Sequence, residues 1–170
     1  MSNSILDIKP ISRIRRNHGL EHATIHVLSK KFPAQSFSGI SSPFGFTIIG
    51  DVTTEDVADA AIEALKKLRA GQADLAMHPN CGTNYAVAGM MAGMGAWMGM
   101  IGAGNSTKKK LERLPLMMTL ATVSLILSRS LGPYIQKNIT TTGHPDGLEL
   151  TKVETSVRGG LRMHRVITRG

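Results

Sequence analysis

Apolar residues are distributed unevenly along the chain, and their densest runs lie in its middle. Residues 82–107 contain no charged side chain, and residues 85–103 alone would form roughly 28 Å of helix, close to the thickness of a bilayer's hydrocarbon core. A second apolar run, residues 114–128, corresponds to about 22 Å of helix. A Gly-Pro pair at 132–133 is expected to break it. The pattern predicts a two-helix transmembrane hairpin over residues 83–135.

Two helical patterns precede these apolar runs. Residues 17–31 are amphipathic, with apolar side chains on one side of the predicted helix and three histidines and a glutamate on the other. Residues 54–70 predict a second amphipathic helix. Thr53 or Thr54 would cap its start, and a basic cluster with a glycine after it marks its end.

Four β-prone runs complete the pattern. Residues 36–40 and 44–50 flank a short Ser-Ser-Pro turn and predict one hairpin. Residues 148–157 and 161–168 flank the glycine pair 159–160 and predict a second hairpin with a tight turn.

Together these elements predict an α+β chain that combines a small polar domain of helices and β-hairpins with a two-helix transmembrane hairpin. The expected portions are a polar N-terminal portion, residues 1–82, the membrane hairpin, residues 83–135, and a C-terminal β-hairpin tail, residues 136–170, packing on the N-terminal portion. A buried hairpin inside a soluble all-α core, with methionine as an adaptable filler, is the alternative.

The first apolar run is rich in glycine, and this composition favours the membrane interpretation. In a soluble helix each glycine would cost about 1 kcal/mol relative to alanine. In lipid, small residues instead let helices approach closely. The pairs Gly89/Gly93 and Gly95/Gly99 have this spacing, so the Gly/Ala-rich helix is predicted to pack on a neighbouring helix or to form an oligomer.

The net charge and the aromatic content limit which classes of binding partner are expected. The formal net charge is +8, which suits contact with anionic lipid headgroups as well as nucleic acid. Four Phe, two Tyr and one Trp offer little for base stacking, so nucleic acid is not an expected partner. Residues 1–17 lack the apolar core of a signal peptide, so the internal hairpin is expected to enter the membrane.

The predicted helix over 17–31 carries the clearest chemical motif. His18, Glu21 and His22 form the pattern His-x-x-Glu-His. Two histidines at i and i+4 stand one helical turn apart, so both could bind one tetrahedral Zn²⁺. Glu21 would project near the same side and act as general base. The pattern resembles that of the inverzincin metallopeptidases, and the resemblance implies the same roles for these three residues.

Several side chains are candidates for a third zinc ligand. Inverzincins of the pitrilysin type use a later glutamate, but residues 75–111 contain no Asp or Glu. The favoured candidate is His78, followed by Cys81, both in a turn-rich loop. His26 and Glu63 are additional candidates, although ligands spread over two turns of one helix separate by about 5.4 Å per turn. Alternatively, the helix histidines are only solvated or bonded to neighbouring carboxylates.

A wider resemblance spans most of the chain. The run NHGLEHATIHVL, followed by HPNCGTN and an apolar hairpin, resembles an uncharacterised family of small bacterial membrane proteins with an N-H-x-L-E-H-A-T motif. It implies a membrane location. With the two apolar runs, we expect a multi-pass protein with two membrane helices in the bacterial inner membrane.

Three functions follow from these patterns. The first is a membrane-anchored, zinc-dependent hydrolase, which the motif indicates to be peptidase-like. It would act on a membrane-protein or peptide substrate at the lipid bilayer. The second is a non-catalytic accessory subunit of a membrane complex. The third is a metal-binding membrane protein without hydrolysis.

Overall fold

The computed structural model describes residues 4–170 and divides into two compact units. Unit 1 comprises the chain up to His78 together with Lys137–Gly170, and unit 2 is Pro79–Gln136. Unit 1 is mixed helix and sheet, and unit 2 is helical. The fold class is therefore α+β, as the sequence predicts.

Unit 1 contains two long helices and a four-stranded sheet. Its elements are α1 (Lys9–Lys31), β1 (Ser38–Ser42), β2 (Gly45–Ile49), α2 (Thr54–Arg69), β3 (Glu149–Arg158) and β4 (Leu161–Arg169), with short 3₁₀ turns at Ile5–Asp7 and Ala73–Ala76. The strands are all antiparallel in the order β1-β2-β4-β3. Both predicted hairpins are present, and pairing of β2 with β4 joins them into one sheet.

The core of unit 1 lies where the inner side chains of β2 and β4 meet α1 and α2. Phe46 and Ile48 on β2 pair with Val166 and His164 on β4. All four are buried, and the apolar ones join Leu20 and its α1 neighbours in one hydrophobic cluster. This packing positions α1, the helix that carries the His-x-x-Glu-His motif.

Helix α1 differs from the prediction in its start and in its burial. It begins at Lys9 rather than at residue 17, with Pro10 in its first turn, where a missing N–H is tolerated. Every residue from 19 to 25 is buried and His18 and His26 are half-buried, so the alternative in which the helix histidines are only solvated is wrong. The reason is tertiary, because segments distant in sequence pack on the side that carries the histidines.

Helix α2 follows its predicted pattern. Thr53 and Asp56 form a reciprocal capping box at its start, and Lys31 of α1 bonds the same carboxylate at 2.8 Å. The Lys31 ammonium and the Thr53 hydroxyl lower the pKa of Asp56 to about 2. The Asp56 side chain therefore both caps α2 and links it to α1.

Unit 2 is built from α3 (Gly82–Met100), α4 (Thr107–Glu112) and α5 (Leu114–Ile135). The predicted break at residues 132–133 is wrong, because α5 continues through Pro133 and runs into a π-helical turn, Gln136–Thr140. Pro133 has no N–H to donate to the preceding helical turn, and the wider π-helical turn accommodates this missing hydrogen bond.

The two long helices of unit 2 touch along one pair of the predicted glycines. A β-carbon at Gly95 would collide with the Leu120 carbonyl, and one at Gly99 with the backbone of Met117. A β-carbon at Gly89 or Gly93, the other predicted pair, would meet nothing within 4 Å. Across residues 4–170 one helix, Leu114–Thr140, is long and apolar enough to cross a membrane.

Candidate metal site

Four histidines of unit 1 lie in a row. The ring centroids of His18 and His22 on α1 are 4.4 Å apart. His78, at the end of the loop after the Ala73–Ala76 turn, lies 5.7 Å from His22 and 5.0 Å from His26. The structure thus places His78, the favoured third ligand, beside His22 and His26.

Backbone carbonyl groups orient three of these rings. His18 Nδ1 lies 3.0 Å from the Thr140 carbonyl oxygen, and His22 Nδ1 lies 2.7 Å from that of Ala76. A carbonyl oxygen can only accept a hydrogen bond, so each Nδ1 carries a proton, and in the neutral ring the lone pair is then on Nε2. His18 and His22 therefore present the same nitrogen, one helical turn apart.

His26 is oriented in the opposite sense. Its Nε2 lies 2.7 Å from the Met77 carbonyl oxygen, so its lone pair is on Nδ1. From the helical rise alone, His26 is expected to lie too far along α1 to bind the same ion as His18 and His22. In the structure, however, His78 contacts both His22 and His26. His26 therefore belongs to the same cluster through His78.

The orienting carbonyl groups come from two segments, residues 76–77 and residues 138–142. The second of these approaches α1 closely at a glycine. The Thr142 carbonyl lies over Gly19, where any β-carbon would collide with it. Arg15 holds the same segment, because its guanidinium donates to the Asn138 and Thr141 carbonyl oxygens, both at 3.2 Å. The glycine inside the motif is thus a packing requirement of the site.

Glu21 lies toward the edge strand of the sheet. Its carboxylate accepts a hydrogen bond from the Ser41 hydroxyl and packs against Gly39, both on β1. The side chain is 4% exposed. The structure therefore gives Glu21 a buried position and a hydroxyl partner that sequence reasoning did not anticipate.

The remaining candidates occupy other surroundings. Glu63 is on α2, pairs with Lys67 at 2.5 Å, and lines a surface groove that His26 also lines. The Lys67 ammonium lowers the pKa of the Glu63 carboxyl. Cys81 is a buried cysteine at the N-cap of α3 and belongs to unit 2. In sequence it follows His78 by three residues.

Sequence reasoning missed the groups that orient the rings. The carbonyl oxygens of Thr140, Ala76 and Met77 are backbone atoms, and no side-chain pattern marks them. Arg15 and Ser41 also escaped notice, since a lone arginine on a helix and a serine in a β-prone run are common. Gly19 was the available signal, because a glycine inside a buried helix often marks a close backbone approach.

Comparison with known proteins gives a family without an assigned activity. A family model described as a domain of unknown function (DUF6391) matches residues 13–153. An uncharacterized protein of Picosynechococcus sp. is 35% identical over 141 residues, covering 75% of this chain and 65% of the relative. The chain thus spans somewhat less than two thirds of the length of that curated relative. No solved structure matches the chain.

Proposed function

Since the chain belongs to the family of the domain of unknown function DUF6391, its activity has to be argued from its own site, and we propose that it is a membrane-anchored, zinc-dependent hydrolase acting on peptides. The observation that carries the proposal is the shared orientation of His18 and His22. Each donates Nδ1–H to a backbone carbonyl and directs the Nε2 lone pair elsewhere. Metal-binding histidines typically have this second hydrogen bond, because it fixes the tautomer and the ring.

The donor set also fits zinc. Imidazole nitrogens suit Zn²⁺, and catalytic zinc sites commonly use three protein ligands with one position left for water or substrate. We assign His18, His22 and His78 as the ligands, with His26 beside them. Zinc, when bound, would polarise the scissile carbonyl and make water more acidic.

Glu21 is the proposed general base. It lies between His18 and His22 in the motif and is buried, which keeps its carboxylate out of bulk water. The Ser41 hydroxyl donates to the carboxylate and would hold it in one orientation. Its role would be to accept a proton from the attacking water and pass it to the leaving amine.

Membrane anchoring is proposed for both long helices of unit 2. Many of their apolar side chains are exposed, among them Met94, Trp97 and Leu127 at 60% or more. An outer surface of this kind is expected for helices in lipid. The basic segment between α3 and α5 contains Lys108, Lys109 and Lys110, which suits anionic headgroups.

The proposed substrate is a peptide segment in or beside the bilayer. His78 directly precedes Pro79, the first residue of unit 2, so the chain tethers the site to the proposed anchor. Tethering favours substrates that share the membrane, because it raises their effective concentration at the site.

Zinc analysis of the full chain purified in detergent tests the metal assignment. His18→Ala, His22→Ala and His78→Ala should each weaken zinc binding by about tenfold or more. His144→Ala is the matched control, since His144 is exposed in a turn and should leave zinc unchanged. Comparing Cys81→Ser with His78→Ala decides between the two candidate third ligands. Zinc binding that survives in the His18 and His22 variants would exclude this site.

Hydrolysis is tested separately with Glu21→Gln and a library of quenched fluorescent peptides carrying apolar segments. The proposal expects cleavage by the wild-type protein, full zinc content in the variant, and loss of cleavage by roughly a hundredfold or more. Unchanged cleavage in Glu21→Gln would remove this residue from the chemistry.

A metal-binding protein without hydrolysis is the second candidate, and the bond between Glu21 and Ser41 favours it. A carboxylate already engaged by a hydroxyl can serve to pack α1 on β1 instead of moving protons. Zinc binding with no cleavage in either the wild-type protein or Glu21→Gln would support this function.

An accessory subunit of a membrane complex is favoured by a different observation. Gly89 and Gly93 form an open face of α3 on which no atom of residues 4–170 lies within reach of a β-carbon. Such small-residue faces pack closely on other membrane helices. Co-purification of a partner that a bulky substitution at Gly93 releases, without zinc or cleavage, would support this function.

A further inference from the structure

Unit 2 contains a cavity of about 530 Å³ between the first turn of α3 and the last third of α5. Asn84 and Tyr85 line it from α3, and Ser128 and Arg129 line it from α5. The cavity involves none of the histidines of the proposed metal site. Its polar groups and its single guanidinium are unusual in so apolar a helix pair.

Arg129 has no counter-charge among the residues that the structure describes. Within residues 4–170 it forms no ion pair and no hydrogen bond. Unit 2 contains one carboxylate residue, Glu112, which precedes α5 and is separated from Arg129 by about 22 Å of helix. A charged group in an apolar helix pair is expected to have a partner, so the ligand should supply the negative charge.

Helix α3 adds to the positive potential of the cavity. Its N-terminus is at Gly82, and the aligned peptide dipoles of a helix act as roughly half a positive charge at that end. Asn84 and Tyr85 belong to the first turn of α3. Guanidinium and helix N-terminus together favour an anion with several acceptor oxygens, which is the chemistry of phosphate.

The surroundings of the cavity point to a lipid as the source of that phosphate. Tyr85 and Tyr134 are 66% and 63% exposed and mark the same end of the helix pair, as aromatic residues do at a membrane interface. Next to Arg129, the side chains of Leu125, Ile126 and Leu127 are exposed on α5. A phosphate at Arg129 would place its acyl chains along this apolar surface.

We propose that this cavity binds the phosphate group of an anionic phospholipid, with Arg129 as its principal ligand and Tyr85 as a further hydrogen-bond donor. The proposal shares the membrane placement of unit 2 with the proposed function but uses no residue of the metal site. Each can therefore fail without the other.

Thermal unfolding of the full chain in a neutral detergent tests the proposal. Phosphatidylglycerol should raise the unfolding midpoint, whereas phosphatidylcholine, which carries no net charge, should raise it less. Arg129→Gln should weaken the apparent affinity for phosphatidylglycerol by about tenfold or more, because charge-assisted hydrogen bonds are lost. Arg113→Gln is the matched control, since Arg113 lies at the start of α5, far from the cavity, and should respond as the wild-type protein does.

Other outcomes would overturn the proposal. An equal response of Arg129→Gln and the wild-type protein would assign lipid binding to the basic residues around α4. A response to inorganic phosphate as large as that to phosphatidylglycerol would make the cavity a free-phosphate site. If Arg129→Gln does not fold, Arg129→Lys replaces it. This variant keeps the charge but loses the two-pronged contact, so it should bind phosphatidylglycerol more weakly, and unchanged binding would contradict the assignment.

Discussion

The carbonyl group of Thr142 lies against the α-carbon of Gly19, in the space that a β-carbon would fill in any other residue. The Thr142 N–H also donates to the Arg15 carbonyl oxygen at 3.2 Å. The segment that contains Thr140 is therefore fixed along α1, and the Thr140 carbonyl orients His18. A glycine between two motif residues thus connects the packing of the chain to the geometry of the candidate metal site.

Substitution of this glycine should affect both stability and zinc. Gly19→Ala forces the Thr142 backbone away from α1, and overpacking of this kind costs about 1–3 kcal/mol. We expect a lower unfolding midpoint of the full chain in detergent and weaker zinc binding, since His18 loses its orienting carbonyl. Gly147→Ala is the control, because a β-carbon at Gly147 meets nothing within 4 Å. A stable Gly19→Ala variant would show that the loop adapts freely.

A second prediction concerns Asn17, which joins α1 to strands β1 and β4 of the sheet. Its Nδ2 donates to the Ser42 carbonyl oxygen at 2.9 Å, and its Oδ1 accepts from the Thr168 hydroxyl at 2.7 Å. Asn17 is 0% and Thr168 3% exposed. Asn17→Ala leaves two buried groups without partners and should destabilise the chain by about 1–3 kcal/mol.

The double-mutant cycle tests whether this bond carries the effect. Asn17→Ala and Thr168→Val should be non-additive by about 0.5 kcal/mol or more, because each removes the partner of the other. Urea unfolding, followed by hydrogen exchange of β4, measures the four variants. Strict additivity would mean that the residues contribute independently.

A third prediction concerns pH and the buried histidine of β4. His164 is 0% exposed, and its ring nitrogens make no hydrogen bond within residues 4–170. Burial lowers the pKa of its imidazole from the usual 6.5, and the nearby Arg162 guanidinium lowers it further, while the backbone of Gly50 opposes the shift in part.

The sign of the effect follows from the proton count. Between the lowered pKa and 6.5 the unfolded chain binds a proton that the folded chain does not, so protonation favours unfolding. The contribution of neutral His164 is complete above the unfolded value and is lost as the pH falls below it, by at most about 1.4 kcal/mol per pH unit. Urea midpoints in a pH series should show this fall, which His164→Leu should reduce and His144→Leu should leave in place. An equal fall in all three proteins would assign it to other groups.

The sequence predicted the elements whose signals are local. Thr53, one of the two predicted caps of α2, and the left-handed Gly159 and Gly160 in the last hairpin are determined by neighbouring residues. The same holds for the approach of the two unit 2 helices at Gly95, which a small-residue spacing predicted. In each case the physical cause lies within one turn or one helix.

Features that depend on distant segments were not predictable in the same way. Pairing of Ile48 with His164 joins residues far apart in sequence, and no local pattern selects β4 over β3 as the partner of β2. The alternative of a solvated histidine face on α1 was wrong for this reason, because the 138–142 segment and the 76–78 loop lie over it. The motif named His18 and His22 correctly as neighbours, but the backbone carbonyls that orient them come from those distant segments.

The glycines of α3 give a last prediction, in which the same substitution should have opposite signs at two positions. Alanine in place of glycine favours a helix by about 1 kcal/mol where there is room for the methyl group. At Gly89 there is room, because nothing lies within 4 Å of the added carbon. At Gly95 the methyl group would collide with the Leu120 carbonyl and the Ser124 hydroxyl, and overpacking costs about 1–3 kcal/mol.

Gly89→Ala should therefore raise the unfolding midpoint of the full chain in detergent slightly, and Gly95→Ala should lower it. A fall in both variants would mean that another helix covers the Gly89 face in the purified protein, because the added methyl group has no clash within the chain itself. Size-exclusion chromatography with light scattering would then identify that helix as a second copy if Gly89→Ala converts an oligomer to a monomer. The sign at Gly89 thus decides whether lipid or protein lies against the open face of α3.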